Sequence, residues 1–475
     1  MRFTCNKYLL FIAFSVAVIH ATAAVKLPAF FSDHMVLQQK SSVKIWGEVT
    51  GNKAITVKTS WDKKTYRVKT DGGAKWHLYI KTPVAGGPYQ IEVNQENKII
   101  LNDVLIGEVW ICSGQSNMDM PVQGYATLPI ANSADLLLES PDALLRVFHV
   151  EKSYADKPLT NVKGNWAQAE ASSINSFSAV GYQFAKYLRK NLGVPVGIIQ
   201  STWGGSPIEA WMDKGLVTDV LKDHLKNNPA IKNAVHQTPA NLYNAMIAPL
   251  IGYNIAGVVW YQGEQNRNNY FDYLALQYAM VSDWRQKWGI GIWPFYLVQL
   301  APMYYPKKEQ WKVPLLREAQ LKLADTLSNT GVAIIIDAGE ERNIHPADKT
   351  IVAKRLAYMA LANAYHKKGI PPNGPKYKNL SVKADTAYVS FSNIPLGMTT
   401  YGKKITQFEI AGADHIFHPA AANLKNNLIA VFSAEVKSPL AVRYAFKDWC
   451  IGEIYSVEGL PASPFRTDNW TVEEK

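Results

Sequence analysis

Cysteine is scarce, with three in 475 residues. Cys5 falls in the N-terminal apolar stretch, while Cys112 and Cys450 stand in different regions of the chain, which excludes a disulfide-stapled scaffold. Two buried thiols are expected there, with a Cys112–Cys450 pairing as the alternative. Charged residues are also few, at 19%. The net charge of +11 is spread along the chain, which argues against a nucleic-acid-binding stripe and leaves room for a mild attraction to anionic substrates. No apolar run reaches the ~20 residues that a spanning helix needs, so no transmembrane segment is expected in the mature chain. Internal repeats and low-complexity tracts are missing. No Cys or His spacing suggests a metal site, and neither metal nor cofactor is expected.

What is present is core. Hydrophobic residues make up 48%, with 14 Trp and 24 Tyr, and 475 residues exceed the ~250 to 300 at which one core stops growing. The opening MRFTCNKYLLFIAFSVAVIHATAAV places Arg2 and Lys7 before an apolar run and small residues after it. That order reads as a secretory signal over 1–24 and an exported, periplasmic or extracellular protein.

From 25 to 105 the chain alternates in short units, VKIWGEV, AITVKTSW, TYRVKT, WHLYIKT and YQIEVN, separated by turn residues. A repeat of about ten residues per strand and turn is the spacing of a β-sandwich. From 106 to 372 apolar runs such as IGEVWICSG, VGIIQSTW, IAGVVWYQGE, FYLVQLAP and GVAIIIDAGE alternate with amphipathic segments, one of them predicted as a helix over Ser176 to Lys190. This pattern predicts an α/β domain with a parallel sheet covered on both faces. After the Pro, Gly and Lys stretch HKKGIPPNGPKYK, residues 373–475 return to strand-like alternation and predict a C-terminal β-domain.

Ligands of open α/β sheets bind beyond the carboxyl ends of the strands, and four of these ends carry polar knots: SGQSNM, STWGGSPIEAW, YQGEQN and DAGEERNIHPADK. Ser116 offers a hydroxyl nucleophile, and His345, at the start of an expected helix with Pro346 in its first turn, offers a base. Gly204 and Gly205 permit close approach of a backbone N–H, and Asn266 carries a side-chain amide suited to an oxyanion. Gln115, Gln262 and Glu264 are candidates either for substrate contact or for loop support. Arg317 is a candidate for a sugar carboxylate or for a structural salt bridge. Trp203, Trp211 and Trp260 read as core aromatics before sugar platforms. Met118 at the last position of the G-x-S-x-G elbow counts against an ordinary lipase of that type.

The order Ser, Gly, Asn, His in these blocks resembles the SGNH (GDSL-type) hydrolases, and the set is similar to the sialate O-acetylesterase family in particular. FFSDHMVLQ, LREAQ, VRYAFKDW and EGLPASPFRTDNW extend the likeness over most of the chain. The resemblance implies an SGNH-type doubly wound parallel sheet flanked by N-terminal and C-terminal β-sandwich domains. It also implies an esterase acting on an O-acetylated sugar, with Ser116 as nucleophile, His345 as base, and an oxyanion hole from the Ser116 and Gly204 or Gly205 N–H groups and the Asn266 amide. Acetylxylan or another acetylated polysaccharide is the alternative substrate, and a non-catalytic carbohydrate-binding protein the alternative class. One departure stands out: Asn343 occupies the place where these enzymes commonly carry Asp before the histidine. A Ser116–His345 dyad oriented by a backbone carbonyl is expected, with Asp337 as the candidate distant acid.

Overall fold

In the computed structural model, which describes residues 25–50, 54–70, 74–221, 234–305 and 311–471, the apolar runs form one central sheet. Its strands in chain order are β1 (Lys98–Gly114), β2 (Asp142–His149), β3 (Trp166–Ala169), β4 (Val196–Thr202), β5 (Gly257–Tyr261), β6 (Phe295–Val298) and β7 (Thr330–Ala333). Across the sheet they lie in the order β3, β2, β4, β1, β5, β6, β7. All pairs are parallel except β3 with β2. The expected leader at 1–24 lies outside the described residues.

Side chains of a strand alternate between faces, and here each face has its own core. Val109 and Ile111 of β1, Ile199 of β4 and Val258 and Trp260 of β5 join one apolar cluster, while Trp110, Cys112, Ile198, Val259 and Tyr261 join the other. Five helices are used below: α1 (Ser116–Asp119), α2 (Ala179–Leu192), α3 (Tyr270–Trp288), α4 (Lys312–Thr326) and α5 (Lys349–Met359). α2 and α5 cover the second face through Val180, Phe184, Val352 and Leu356. α3 and α4 cover the first through Tyr273, Trp284, Leu316 and Leu323. Burial on both faces explains why the central strands read as continuous apolar runs. The helix expected from Ser176 starts three residues later because the Ser178 hydroxyl accepts the Gly181 N–H at 2.9 Å, an N-cap. Gly193, at φ +71°, ends it.

The change of pattern at residue 106 does not break the backbone. β1 pairs antiparallel with Gly86–Asn94 in its first half and parallel with β4 and β5 in its second, so one strand runs through the expected boundary between 105 and 106. Before it, Ser42–Val49 and Lys75–Lys81 form one antiparallel ladder and Ile55–Thr59 pairs with Gly86–Asn94. Their inward residues Ile45, Ile80, Val57 and Val93 share the first core. After the central sheet, antiparallel strands including Thr386–Ser392, Leu428–Phe432 and Ala441–Tyr444 surround a third core of Val389, Ile429, Val442 and Phe465, which also takes in Ile336 from the loop after β7. Cys112 and Cys450 are buried free thiols. Among the described residues no helix is long and apolar enough to cross a membrane.

The chain leaves β1 toward β2 and β4 on one side and returns with β5 on the other. That reversal falls at the carboxyl ends of β4, β1 and β5, the usual ligand position in such sheets. Ser116 is two residues beyond β1.

Candidate active site

β1 ends at Gly114, where φ is +133° and a Cβ would lie 2.2 Å from the Tyr261 carbonyl oxygen, so only glycine lets β1 close on β5 here. The Gln115 N–H then donates to that carbonyl at 3.0 Å, and the chain turns into α1 with Ser116 as its first residue. Ser116 is half-buried. After β4, the Trp203 N–H donates to the Gly114 carbonyl at 3.1 Å, bringing Gly204 so close that a Cβ on it would sit 3.3 Å from Cβ of Ser116. Gly205 follows with φ +71°. Among the described residues the backbone N–H groups of Ser116, Gly204 and Gly205 donate to no other group of the protein. Free donors thus lie on the Ser116 turn and on the Gly204–Gly205 turn packed against it, and a developing oxyanion requires such donors.

His345 lies in the loop before α5, not at its start as expected, and Pro346 is not in its first turn, because Asp348 caps that helix by accepting the N–H groups of Thr350 and Ile351. The loop is drawn toward Ser116 by Asn117, whose Nδ2 donates to the Ile344 carbonyl at 2.9 Å. Tyr125 touches both sides. Its hydroxyl lies 3.4 Å from the Ser116 carbonyl oxygen and donates to Asp119 Oδ2 at 3.2 Å, and its ring meets the His345 imidazole edge-on at 5.7 Å. No hydrogen bond joins Ser116 and His345 in this structure, and both ring nitrogens are buried without a partner. The expected bond from the ring to a backbone carbonyl is therefore not formed. Burial first, and the Lys349 charge second, push the imidazole down to about 4.

The candidate acids are engaged elsewhere. Asp337 makes a two-pronged pair with Arg355 at 2.6 and 2.7 Å. Asn343 shapes the loop instead of the ring: its Oδ1 accepts the His345 backbone N–H at 2.9 Å and its Nδ2 donates to Glu340 at 2.8 Å.

Asn266 corrects an expectation. It has no exposed surface, its Nδ2 donates to Glu209 at 2.8 Å, and its Oδ1 accepts the Ile208 N–H at 2.9 Å and the Gln262 amide at 2.7 Å. A fully buried amide cannot touch a substrate oxygen in this conformation, so Asn266 holds the loop after β4 to the loop after β5. Gln262, equally buried, also supports, donating to Gln115 Oε1 at 3.2 Å and accepting the Tyr273 hydroxyl at 2.7 Å. Gln115 Oε1 accepts further N–H groups from Gly263 and Gln265 at 3.3 and 3.2 Å. Glu264 accepts from Asn117 Nδ2 at 2.5 Å, and burial raises its carboxyl above the usual range against the opposing pull of that bond and of Lys349.

Arg317 is fully buried within α4 and donates to four carbonyls, those of Leu300, Ala301, Lys447 and Asp448, at 2.9, 3.0, 2.7 and 3.0 Å. It ties the central sheet to the C-terminal strands, out of reach of a sugar. Arg317→Met is expected to cost about 3 kcal/mol or more, since charged hydrogen bonds contribute ~1.5 to 3 each. A thermal melt checks this, with kcat of the folded fraction unchanged.

Residues that drew no attention in the sequence complete the cluster. Asp119 is held by the Thr202 hydroxyl at 2.7 Å and by Lys152 at 2.8 Å. Lys349 Nζ donates to Asn117 Oδ1 at 2.6 Å. Trp203 is half-buried and stacks on His236 with centroids 5.5 Å apart and planes 8° off parallel, whereas Trp211 and Trp260 are core. Among the described residues no group of three His, Cys, Asp or Glu side chains is placed to hold a metal ion. A separate cavity of about 430 Å³, lined by Trp46, Trp76, Lys44 and Lys75 among others, shares no residue with this cluster.

The sequence model of the family described as "Carbohydrate esterase, sialic acid-specific acetylesterase" matches residues 106–362. The chain is 29% identical over 515 residues to a sialate O-acetylesterase of Rattus norvegicus, covering 93% of this chain and 94% of that protein. It is 28% identical over 487 residues to a sialate O-acetylesterase of Homo sapiens, covering 93% and 92%. A solved carbohydrate acetylesterase from Xanthomonas citri matches with a TM-score of 0.86 at 36% identity, over 94% of this chain and 100% of that one.

Proposed function

The chain belongs to the sialic acid-specific acetylesterase family of carbohydrate esterases, and from that premise we propose that it removes O-acetyl groups from sialic acids through an acetyl-enzyme on Ser116. It is an ester hydrolase of acetylated sugars. In the proposed reaction Ser116 Oγ attacks the acetyl carbonyl carbon while its proton passes to the imidazole of His345. The carbonyl oxygen takes up the negative charge facing the N–H groups of Ser116 and of Gly204 or Gly205. Collapse of this intermediate breaks the bond to the sugar oxygen, which leaves with the proton from His345. Water, deprotonated by the same imidazole, then attacks the acetyl-serine; the acyl bond to Ser116 Oγ breaks, the proton returns from His345 to that oxygen, and acetate is released. The observation that carries the reading is the packing of Gly204 against Ser116 at the β1 end, with the backbone N–H groups of both turns free.

An anionic sugar is favoured over neutral xylan by the rim of the site. Asp119 is 6% exposed and Lys152 43%, so the member of this ion pair that faces solvent is the ammonium. Export, expected from residues 1–24, suits a glycan substrate outside the cytoplasm. Acetate release from O-acetylated sialic acids, measured beside acetylated xylan oligomers, tests the assignment. The expected kcat/KM is at least about tenfold higher for the sialic acids, a difference of ~1.4 kcal/mol in transition-state binding. The reverse preference transfers the function to polysaccharide deacetylation, and absence of turnover on these sugars and on 4-nitrophenyl acetate alike overturns the reaction proposed for Ser116.

A further inference from the structure

Lys349 is the first residue of α5 and is 1% exposed. A buried ammonium demands compensation, because removing it from water is costly unless polar groups replace the lost hydration. Its partner here is not a carboxylate but the amide oxygen of Asn117, at 2.6 Å, in the residue that follows Ser116. An amide whose oxygen accepts from an ammonium can present only its NH₂ to the other side. That NH₂ donates to Glu264 Oε1 at 2.5 Å and to the Ile344 carbonyl at 2.9 Å. The flipped amide would set NH₂ against the ammonium, and oxygen against a carboxylate and a carbonyl. Lys349 thus joins Glu264 and the Ile344 carbonyl in fixing which way Asn117 points, and it is the group that anchors the amide oxygen.

The consequence reaches the base. Neither ring nitrogen of His345 is held by a protein group, so the imidazole is placed by its backbone and by the edge of Tyr125. The backbone tie that joins this loop to the Ser116 turn is the Asn117 to Ile344 bond. We infer that Lys349 is a positioning residue of the hydrolase: through Asn117 it holds the His345 loop against the turn that carries Ser116. This rests on the Ser116 and His345 roles proposed above.

Lys349 also acts on the imidazole through its charge. The groups that face it are Asn117, Glu264 from the loop after β5, Glu340 and Asp348 from its own loop, His345, and the ring of Tyr261, 5.8 Å from Nζ. Burial pushes the ammonium down to about 7 against the pull of Glu264, Glu340 and Asp348. Its positive charge in turn disfavours protonation of His345. Removing that charge shifts the imidazole upward, so the acid limb of kcat/KM moves to higher pH, and it is the non-additivity with Asn117 that separates positioning from loosened packing.

The experiment compares Lys349→Met, Asn117→Ala, the double variant and Asn117→Asp with the parent enzyme on 4-nitrophenyl acetate, with circular dichroism as the folding control and Ser116→Ala as the reference. Lys349→Met is expected to lower kcat about 10²-fold, the scale of a ~1 Å misplacement of a reacting group, with KM changed only a few-fold and the acid limb raised. The double variant is expected to be no worse in kcat than Asn117→Ala, because groups acting through one another are not additive. Asn117→Asp keeps an acceptor for Lys349 but has no NH₂ for the Ile344 carbonyl, and its kcat is expected to fall about 10²-fold while the fold persists. Wild-type kcat in folded Lys349→Met overturns the inference, as does a loss that adds fully to that of Asn117→Ala without a move of the acid limb. Should Lys349→Met fail to fold, wild-type kcat in folded Asn117→Asp overturns it alone. Turnover retained in Ser116→Ala refutes the nucleophile instead, which separates the two failures.

Discussion

Ser116→Ala is expected to abolish turnover, with kcat on 4-nitrophenyl acetate and on O-acetylated sialic acid reduced on the order of 10⁶-fold, the loss seen when a serine nucleophile is removed from a unit that acts together. The fold should not notice the change. No side-chain hydrogen bond of Ser116 supports neighbouring structure among the described residues, its hydroxyl is partly exposed, and alanine suits the first position of a helical turn. The backbone N–H groups at 116, 204 and 205 remain, so a residual rate above water is expected from the oxyanion donors. Substrate affinity should be nearly unchanged, since the lost interaction belongs to bond formation. Initial rates with a melting curve on the same preparation check this. Wild-type turnover in a correctly folded variant removes Ser116 from the reaction.

The central strands were readable because they are buried on both faces: VGIIQST and GVVWY contain no solvent-facing positions to blur the pattern. The site was readable because polar knots at strand ends have few structural uses at that density. Other features depended on contacts that no local pattern carries. Residue 106 marks a change of composition, yet β1 continues through it because its two halves find partners in different sheets. Asn266 has the residue type and the place of an oxyanion donor, and its direction is set by Glu209, 57 residues away. Lys349 reads as one more solvated lysine in a basic chain until α5 packs it under Asn117, 232 residues earlier. Asp337 looks like the acid missing at Asn343 until Arg355 is seen to occupy both of its oxygens.

His345→Ala is expected to lower kcat about 10⁴-fold, the upper range for a positioned general base, and less than Ser116→Ala. The difference follows from the missing third member. In a triad the acid fixes the tautomer and stabilises the imidazolium formed as the serine loses its proton, whereas here both ring nitrogens lack a partner and Asp337 is committed to Arg355. Asp337→Asn should accordingly weaken the fold and spare kcat. The pH profile gives the sharper reading. The imidazole must be neutral to accept the serine proton, and burial with the Lys349 charge holds it down to about 4, below the ordinary ~6.5 of histidine. The acid limb of kcat/KM is thus expected near pH 4 to 5, with full activity retained at pH 6. The sign for stability is the same. Between about 4 and ~6.5 the unfolded chain binds the proton and the folded chain does not, so this group's contribution is complete above ~6.5 and lost as pH falls through about 4. In His345→Ala that part of the acid destabilisation should disappear along with the activity. An acid limb of kcat, which reports the substrate complex, at or above ~6.5 in the parent enzyme shows instead that a carboxylate engages the ring once substrate is bound, and that the site works as a triad.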